Sequence, residues 1–297
     1  MKQQTLLERA LQTVPDFRQS YEKFRTRMIV EQKTSSTIYN YSSKISALCL
    51  YYNKPPEHIS SSEIDAYLAK LLQTKPQPSL TQFKHLVYGL RLYYRISGLE
   101  REKLHLPSIK KSKKLPVILN YEECRLLFKT PKVLKHRVIL SLIYSAGLRL
   151  GELCKLRISD IDSHRMLIHI RDSKYRKDRY VPLSSYILKG LRVYYQEVRP
   201  QIYLFNGYKK GEPISGRAVE WILRETCKKT TITKEINVHT LRHSFASHLL
   251  EMGVNVVQVQ ELLGHADVKT TLIYLHTMKP AYKHIFSPLD KLYTIQE

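Results

Sequence analysis

Residues 238–250 read VHTLRHSFASHLL, and their pattern decides how the rest of the chain is interpreted. Apolar residues recur at helical intervals through residues 240–252, which predicts a helix there. The stretch contains His239 and Arg242, three positions apart. A His-x-x-Arg pair alone indicates no particular reaction, and its meaning depends on what accompanies it in the chain.

Two other short stretches carry residue types that fit such a pair. Residues 146–153 read AGLRLGEL and contribute Arg149. Residues 262–267 read LLGHAD and contribute His265, and Tyr274 follows nine positions later. Each stretch taken alone has an ordinary explanation, such as a surface charge at a helix end. It is their combination, in this order along the chain, that is specific.

This combination resembles the tyrosine recombinases, also called phage-integrase-like or Xer-type recombinases. Their signature is an Arg in a GLRxxEL stretch, an HxxR box, an LGH box and a Tyr nine residues after that His, and this sequence has every part. Residues 238–250 match the family pattern HTLRHSFATHLL almost letter for letter, and the resemblance covers residues 116–285. It implies site-specific recombination, in which DNA is cleaved and rejoined through a 3′-phosphotyrosyl intermediate and a Holliday junction, by a tetramer on two duplexes.

The physical chemistry of phosphodiester cleavage agrees with the roles that the resemblance implies. Negative charge grows on the non-bridging oxygens in the transition state, and preorganised cations stabilise it. Arg149 and Arg242 suit this because a planar guanidinium matches phosphate oxygens and stays charged. His239 and His265 would donate hydrogen bonds or handle protons. Tyr274 would be the nucleophile, and because a free phenol has a pKa of about 10, nearby cations must favour its ionisation.

The leaving 5′ oxygen needs an acid, and the family supplies a lysine from a β-hairpin. The matching segment here, residues 173–183, reads SKYRKDRYVPL, with Lys174 where the family usually has Gly-Lys-Gly. Ser173 and Tyr175 replace the two glycines, which puts the turn geometry in question. Lys174 is the candidate acid, and Lys177 is the alternative.

Two residues beside the boxes have competing interpretations. Glu152 is a supporting residue that orients an arginine or histidine, or it is an ordinary acid in the first turn of a helix. His239 and His243 have the spacing of a zinc pair, but the acid that an HExxH motif places between them is missing, and Arg242 lies between them instead. Because a fixed cation beside a dication is unfavourable, we expect no metal and interpret His243 as a packing residue.

The pattern around the boxes predicts a mixed, mainly helical catalytic domain at residues 116–297. Residues 166–170 and 179–183 read as the two strands of a hairpin. A helix is expected after the capping residue Asn120. The other helical patterns of this half lie at residues 138–144, 184–196, 215–229, 240–252 and 256–263.

The first part of the chain, residues 1–112, predicts an all-helical domain. Ser60–Glu63 forms a capping-box pattern, and apolar residues keep helical spacing through residues 35–52 and 79–97. The resemblance implies that this part is the SAM-like core-binding domain. The fold class expected for the chain is therefore mainly α with a small β-sheet, in two domains.

A basic stretch bounded by Pro107 and Pro116 separates the halves, and residues 113–115 within it are assigned as the linker. The lysines of the whole basic stretch are candidates for contact with a phosphate backbone. They are Lys110, Lys111, Lys113 and Lys114.

The charge balance indicates the kind of partner. The 297 residues hold 49 Lys+Arg against 26 Asp+Glu, a net charge of +23, and both halves carry the excess. Such a basic chain is typical of nucleic-acid binding. We expect double-stranded DNA as the partner, held in a clamp formed by both halves. An apolar share of 43% excludes a chain that is disordered throughout.

Cysteine spacing and missing motifs suggest the compartment and the cofactors. The four cysteines form no CxxC pair, which suits a reducing compartment. The chain begins without an apolar signal region and has no transmembrane run, so we expect it in the cytoplasm. It has no GxxxxGK[ST] loop, and a phosphotyrosyl bond conserves the energy of the broken bond, so no ATP or other cofactor is expected.

Three other functions stay open. A type IB topoisomerase uses the same residue types, but it relaxes one duplex instead of joining two. A metal-dependent transposase or nuclease would use Asp160, Asp162 and Glu152 as ligands, and cleavage in EDTA would exclude it. A DNA-binding protein could have the fold without the activity. Among recombinases, the departure from Gly-Lys-Gly favours an integrase of a mobile element over an Xer-type chromosome or plasmid dimer resolvase.

The end of the chain suggests a subunit contact. Residues 281–292 read AYKHIFSPLDKL and carry the apolar residues Ile285, Phe286, Leu289 and Leu292. Because the resemblance implies a tetramer, we hypothesise that this tail docks on a neighbouring subunit.

Overall fold

The computed structural model describes residues 4–75, 78–99, 115–171, 178–209 and 211–275. The chain divides into two compact units, Met1–Ser112 and Lys113–Glu297. Each unit has its own apolar core. The fold is mainly helical with one small sheet, which confirms the predicted class. Among the helices of the described residues, none has the length and apolar character needed to cross a membrane.

Most of the helices in the first unit are capped at their start by a hydroxyl side chain. Its helices within the described residues are α1 (Leu6–Thr13), α2 (Phe17–Val30), α3 (Ser35–Tyr52), α4 (Ser61–Gln73) and α5 (Leu80–Ile96). The capping box expected from Ser60 and Glu63 forms at the start of α4 and satisfies backbone groups that a helix end leaves unpaired. Helix α3 packs against α1 and α5, and the buried core includes Phe17, Phe24 and Tyr93.

The second unit surrounds a small sheet with helices. In chain order, its described elements are α6 (Tyr121–Lys129), α7 (Leu134–Ser145), α8 (Leu150–Lys155), β1 (Ile161–Asp162), β2 (Leu167–Ile170), β3 (Arg179–Pro182), α9 (Ser185–Val198), α10 (Gly216–Cys227), α11 (Val238–Glu251), α12 (Val256–Leu263) and α13 (Lys269–Leu272). The strands are antiparallel in the order β1-β2-β3, and the predicted hairpin is formed by β2 and β3.

Strand register decides which side chains of the hairpin face the interior. Ile168 lies opposite Val181, and Ile170 lies opposite Arg179. Residues directly opposite each other share one face of a sheet, so Arg179 lies on the same side as the buried isoleucines. The charged side chain is thereby directed into the protein.

A glycine turn leads from α7 into α8. Gly147 has a φ of +58°, and a Cβ atom there would lie 2.5 Å from the ring of Phe245. Only glycine tolerates both this conformation and this close approach. The turn places Arg149 immediately before α8 and next to α11.

Candidate active site

Helix α11 presents three polar residues on one face. Asn237 and Thr240 form a capping box that fixes where the helix begins. His239, Arg242 and His243 then follow at the spacing that brings side chains together on a helix surface. This part of the site depends on local sequence alone.

Arg242 is buried among backbone carbonyls, with only 3% of its surface exposed. Its Nη1 donates to the carbonyl of Gly147 at 2.6 Å, and its Nη2 donates to the carbonyl of Leu263. Burial and the neighbouring charge of Arg149 lower the pKa of Arg242 to about 9. The guanidinium therefore stays charged at neutral pH and is held in one orientation.

Arg149 is fixed from two sides. Its backbone N–H donates to Glu152 Oε2 at 2.8 Å, and its Nη1 donates to Glu152 Oε1 at 2.7 Å. Its Nη2 donates to the carbonyl of Gly264 at 2.9 Å. The side chain is still 21% exposed, so a ligand can reach it.

Glu152 connects two arginines. It lies in the first turn of α8 and, in addition to Arg149, it accepts Nη1 and Nη2 of Arg179, both at 2.9 Å. Burial raises the pKa of Glu152, but hydrogen bonds and charge from Arg179 and Arg149 outweigh it and lower the pKa to about 2. The two interpretations of Glu152 are therefore both correct as descriptions of its contacts. It is an acid in the first turn of a helix, and it also orients arginine side chains.

Arg179 was not singled out from the sequence. Its Nε donates to the carbonyl of Leu262 at 2.7 Å, and its side chain is 8% exposed. A signal was present in the strand pattern, because alternation places Arg179 and Val181 on the same, buried side of β3.

Tyr274 lies just after α13 and is almost fully buried, with 1% of its surface exposed. Its hydroxyl is 2.9 Å from Nδ1 of His243, so His243, expected to be a packing residue, also makes a hydrogen bond to the candidate nucleophile. Burial raises the pKa of Tyr274, whereas the charges of Arg242 and Arg149 act to lower it. The phenol therefore lies within the electrostatic field of both arginines.

The histidines beside the arginines all have lowered pKa values. His265 follows the left-handed turn at Gly264, and its Nδ1 is 2.9 Å from the hydroxyl of Thr271. Burial and nearby arginine charges lower the pKa of His265 to about 3, and burial lowers the pKa of His243 to about 4. The pKa of His239 is lowered by partial burial and by the arginines. These rings can donate or accept hydrogen bonds without carrying charge.

The carboxylates of the metal-dependent alternative have separate partners. Asp160 accepts the backbone N–H of Arg157 at 2.9 Å and the guanidinium of Arg171. Asp162 accepts backbone N–H groups of its own turn, at 2.8 and 3.0 Å. Within the described residues, His, Cys, Asp and Glu side chains form no group of three that could hold a metal ion.

Several predicted residues lie outside the described residues. They are the hairpin lysines Lys174 and Lys177, the linker lysines Lys110, Lys111, Lys113 and Lys114, and the tail at residues 281–292. The structure does bring together the arginines, histidines and tyrosine expected from the three boxes. Two fixed guanidinium groups near a buried phenol can bind an anion and promote attack by the phenol oxygen.

Comparisons with known proteins give matches over nearly the whole chain. Residues 107–280 match the phage integrase family, and residues 21–102 match the phage integrase N-terminal SAM-like domain. The tyrosine recombinase XerC of Lacticaseibacillus casei is 36% identical over 239 residues, 74% of this chain and 78% of that protein. The tyrosine recombinase XerA of Pyrococcus horikoshii is 33% identical over 282 residues, 93% of this chain and 94% of that protein. A lambda integrase dimer bound to a COC′ core site has a similar fold, with a TM-score of 0.71 at 20% identity, covering 91% of this chain and 98% of that one.

Proposed function

The chain belongs to the phage integrase family of tyrosine recombinases, enzymes that break and rejoin DNA, and we propose that Tyr274 is its nucleophile. The groups that bind the scissile phosphate in this proposal are Arg149, His239, Arg242 and His265. The observation that carries it is the position of the Tyr274 phenol beside the arginine charges: burial raises the pKa of Tyr274 on balance, and the charges of Arg242 and Arg149 act against that rise.

The proposed reaction exchanges one phosphodiester bond for another. The Tyr274 oxygen forms a bond to phosphorus and gives up its proton to water. The bond between phosphorus and the 5′ oxygen breaks, and that oxygen takes a proton from an acid. Lys174 is the proposed acid, and Lys177 is the alternative. A 5′ hydroxyl of the partner duplex then attacks the 3′-phosphotyrosyl bond and releases the tyrosine. Because bond energy is conserved at each step, the proposal needs no ATP, and because arginines neutralise the charge on the phosphate, it needs no metal.

Glu152 has a supporting role in this proposal. Its bonds to the backbone and the side chain of Arg149 hold the guanidinium where the phosphate would bind. A fixed orientation matters because preorganised charge stabilises a transition state without rearranging during the reaction.

Double-stranded DNA is the proposed partner of both halves of the chain. A net charge of +23 supports this, since a basic protein releases counterions from the phosphate backbone on binding. In the proposal, residues 1–112 are the core-binding domain, 113–115 the linker and 116–297 the catalytic domain. Lys110, Lys111, Lys113 and Lys114 contact phosphates in this proposal. The proposed compartment is the cytoplasm, where the DNA is.

We also propose that four copies of the chain act on two duplexes, with residues 281–292 docking on a neighbouring subunit. For the biological role, integration of a mobile element is the first candidate. Dimer resolution is the second, and relatives named XerC and XerA, which match most of the chain, favour it.

A covalent trapping experiment tests the proposal. A DNA site is first obtained by selecting bound fragments from random sequence, and a nicked duplex of that site is incubated with the full chain in EDTA without ATP. We expect a covalent protein–DNA adduct whose linkage maps to Tyr274. An adduct at another residue, or cleavage that needs a divalent metal, would contradict the mechanism. Joining of two different duplexes separates recombination from simple relaxation.

A further inference from the structure

Three consecutive backbone carbonyls at the end of α12 each accept a hydrogen bond from a different arginine. Leu262, Leu263 and Gly264 accept from Arg179, Arg242 and Arg149, respectively. The last carbonyls of a helix have no partners within it, and the helix dipole makes this end negative. The arginines therefore satisfy these carbonyls and fix the turn that leads into His265.

The same three arginines surround one carboxylate. Oε1 of Glu152 accepts from Arg149 and Arg179, and Oε2 accepts from the Arg149 backbone and from Arg179. Nη1 of Arg242 lies 3.9 Å from Oε2. A carboxylate has about four acceptor positions, and here four donors from two residues occupy them. The carboxylate cannot rotate without losing charge-assisted bonds.

We propose that Arg179 is a positioning residue for the reaction, acting on Arg149 through Glu152 and on the His265 turn through the Leu262 carbonyl. This inference rests on the proposed function, because it assigns what Arg179 does for the phosphate-binding groups. Nε, Nη1 and Nη2 of Arg179 are all bonded within the protein, and the side chain is 8% exposed. Its effect on cleavage thus passes through the residues that it holds.

Shape, and not charge alone, explains why an arginine stands here. The guanidinium makes a two-bond fork with Glu152 and a third bond to a carbonyl of another helix. A lysine carries one ammonium nitrogen and cannot reproduce a planar fork that spans both partners. Arg179→Lys therefore keeps the charge but removes the geometry, and it separates the two explanations.

The experiment compares single-turnover cleavage and DNA affinity in the full chain. Arg179→Met and Arg179→Lys are both expected to slow cleavage on the order of 10–100-fold, as loss of an orienting residue typically does, with DNA affinity nearly unchanged. The matched control is Arg171→Met. Arg171 directly follows β2, just as Arg179 begins β3, but Arg171 pairs with Asp160 and not with Glu152. We expect cleavage by the control to stay within threefold of the wild type.

A double-mutant cycle tests the route of the effect. If Arg179 acts on Arg149 through Glu152, the pair Arg179→Met and Glu152→Gln should lose less cleavage than the product of the two single losses, since residues that act as a unit are not additive. Losses that multiply would overturn the inference. Thermal melting checks that the variants are folded. If Arg179→Met does not fold, Arg179→Lys serves as the test. A folded Arg179→Lys that cleaves at the wild-type rate would also overturn the inference. A wild-type chain that forms no adduct would instead contradict the proposed function.

Discussion

Two regions of the active site are held in place by different kinds of bonds. The arginine cluster (Arg149, Glu152, Arg179 and Arg242) is fixed by charge-assisted bonds to one carboxylate and by bonds to backbone carbonyls. The tyrosine segment, residues 265–275, is held through neutral contacts between imidazole and hydroxyl groups. Its one helix, α13, spans only four residues.

The difference indicates which region is preorganised and which must rearrange. Charge-assisted hydrogen bonds are roughly twice as strong as neutral ones. A neutral hydrogen bond contributes only about 1 kcal/mol to stability. Tyr274 is 1% exposed and packs in an apolar cluster with Phe245 and Leu263, so its hydroxyl has to become accessible before it meets a phosphate. In the proposed mechanism, the arginine cluster stays in place while the tyrosine segment rearranges.

The largest effect is expected at the nucleophile. Tyr274→Phe removes the attacking oxygen, so it should abolish the covalent DNA adduct while DNA affinity stays almost unaltered. Tyr144→Phe is the matched control, because Tyr144 is a partly buried tyrosine whose hydroxyl also contacts a histidine, His248, at 2.8 Å. Denaturing gels of protein incubated with nicked DNA measure both variants. An adduct that survives in Tyr274→Phe would place the nucleophile elsewhere and break the comparison.

The arginine cluster should show the next largest effect. Arg242→Ala removes a fixed charge near the phosphate, and such a loss typically slows the chemical step by about 10²–10³-fold. Single-turnover cleavage at saturating DNA measures it, with circular dichroism to verify folding. A decrease of less than about threefold would show that Arg242 does not act on the transition state.

The hydrogen bond that holds the tyrosine segment should matter much less. His243→Leu removes the contact to the Tyr274 hydroxyl, and because that bond is neutral, the cleavage rate should change by no more than about fivefold. His248→Leu removes a similar contact from the same helix, away from Tyr274, and serves as the control. A loss comparable to that of Arg242→Ala would mean that His243 takes part in the chemistry, and the contrast between the regions would fail.

The smallest effect is expected in the pH dependence of stability. Burial lowers the pKa of His243 to about 4 and that of His265 to about 3, whereas an unfolded histidine titrates near pH 6.5. As the pH falls below about 6.5, the unfolded chain binds protons that the folded chain does not, so stability decreases. The Tm should fall between pH 7.5 and 5.5, and it should fall less in His243→Leu. An equal slope in both proteins would contradict this assignment.

Local pattern accounted for much of the fold. The helix predicted at residues 35–52 is α3, which covers the same range. The hairpin predicted at residues 166–170 and 179–183 is formed by β2 and β3. The short helices α8 and α13 were not located, because six and four residues give too little periodicity to recognise. The roles assigned to Lys174 and to the tail stay predictions.

The family, the mainly helical fold and the residues in the three boxes follow from the sequence, because each box is a local pattern. The fold was needed to show that Arg179 joins them, that Glu152 binds two arginines and that Tyr274 contacts His243. These contacts connect positions as far apart as Arg149 and Gly264, 115 residues along the chain. Spacing within a helix or strand specifies nothing about such pairs, since strand register and the packing of separate elements bring them together.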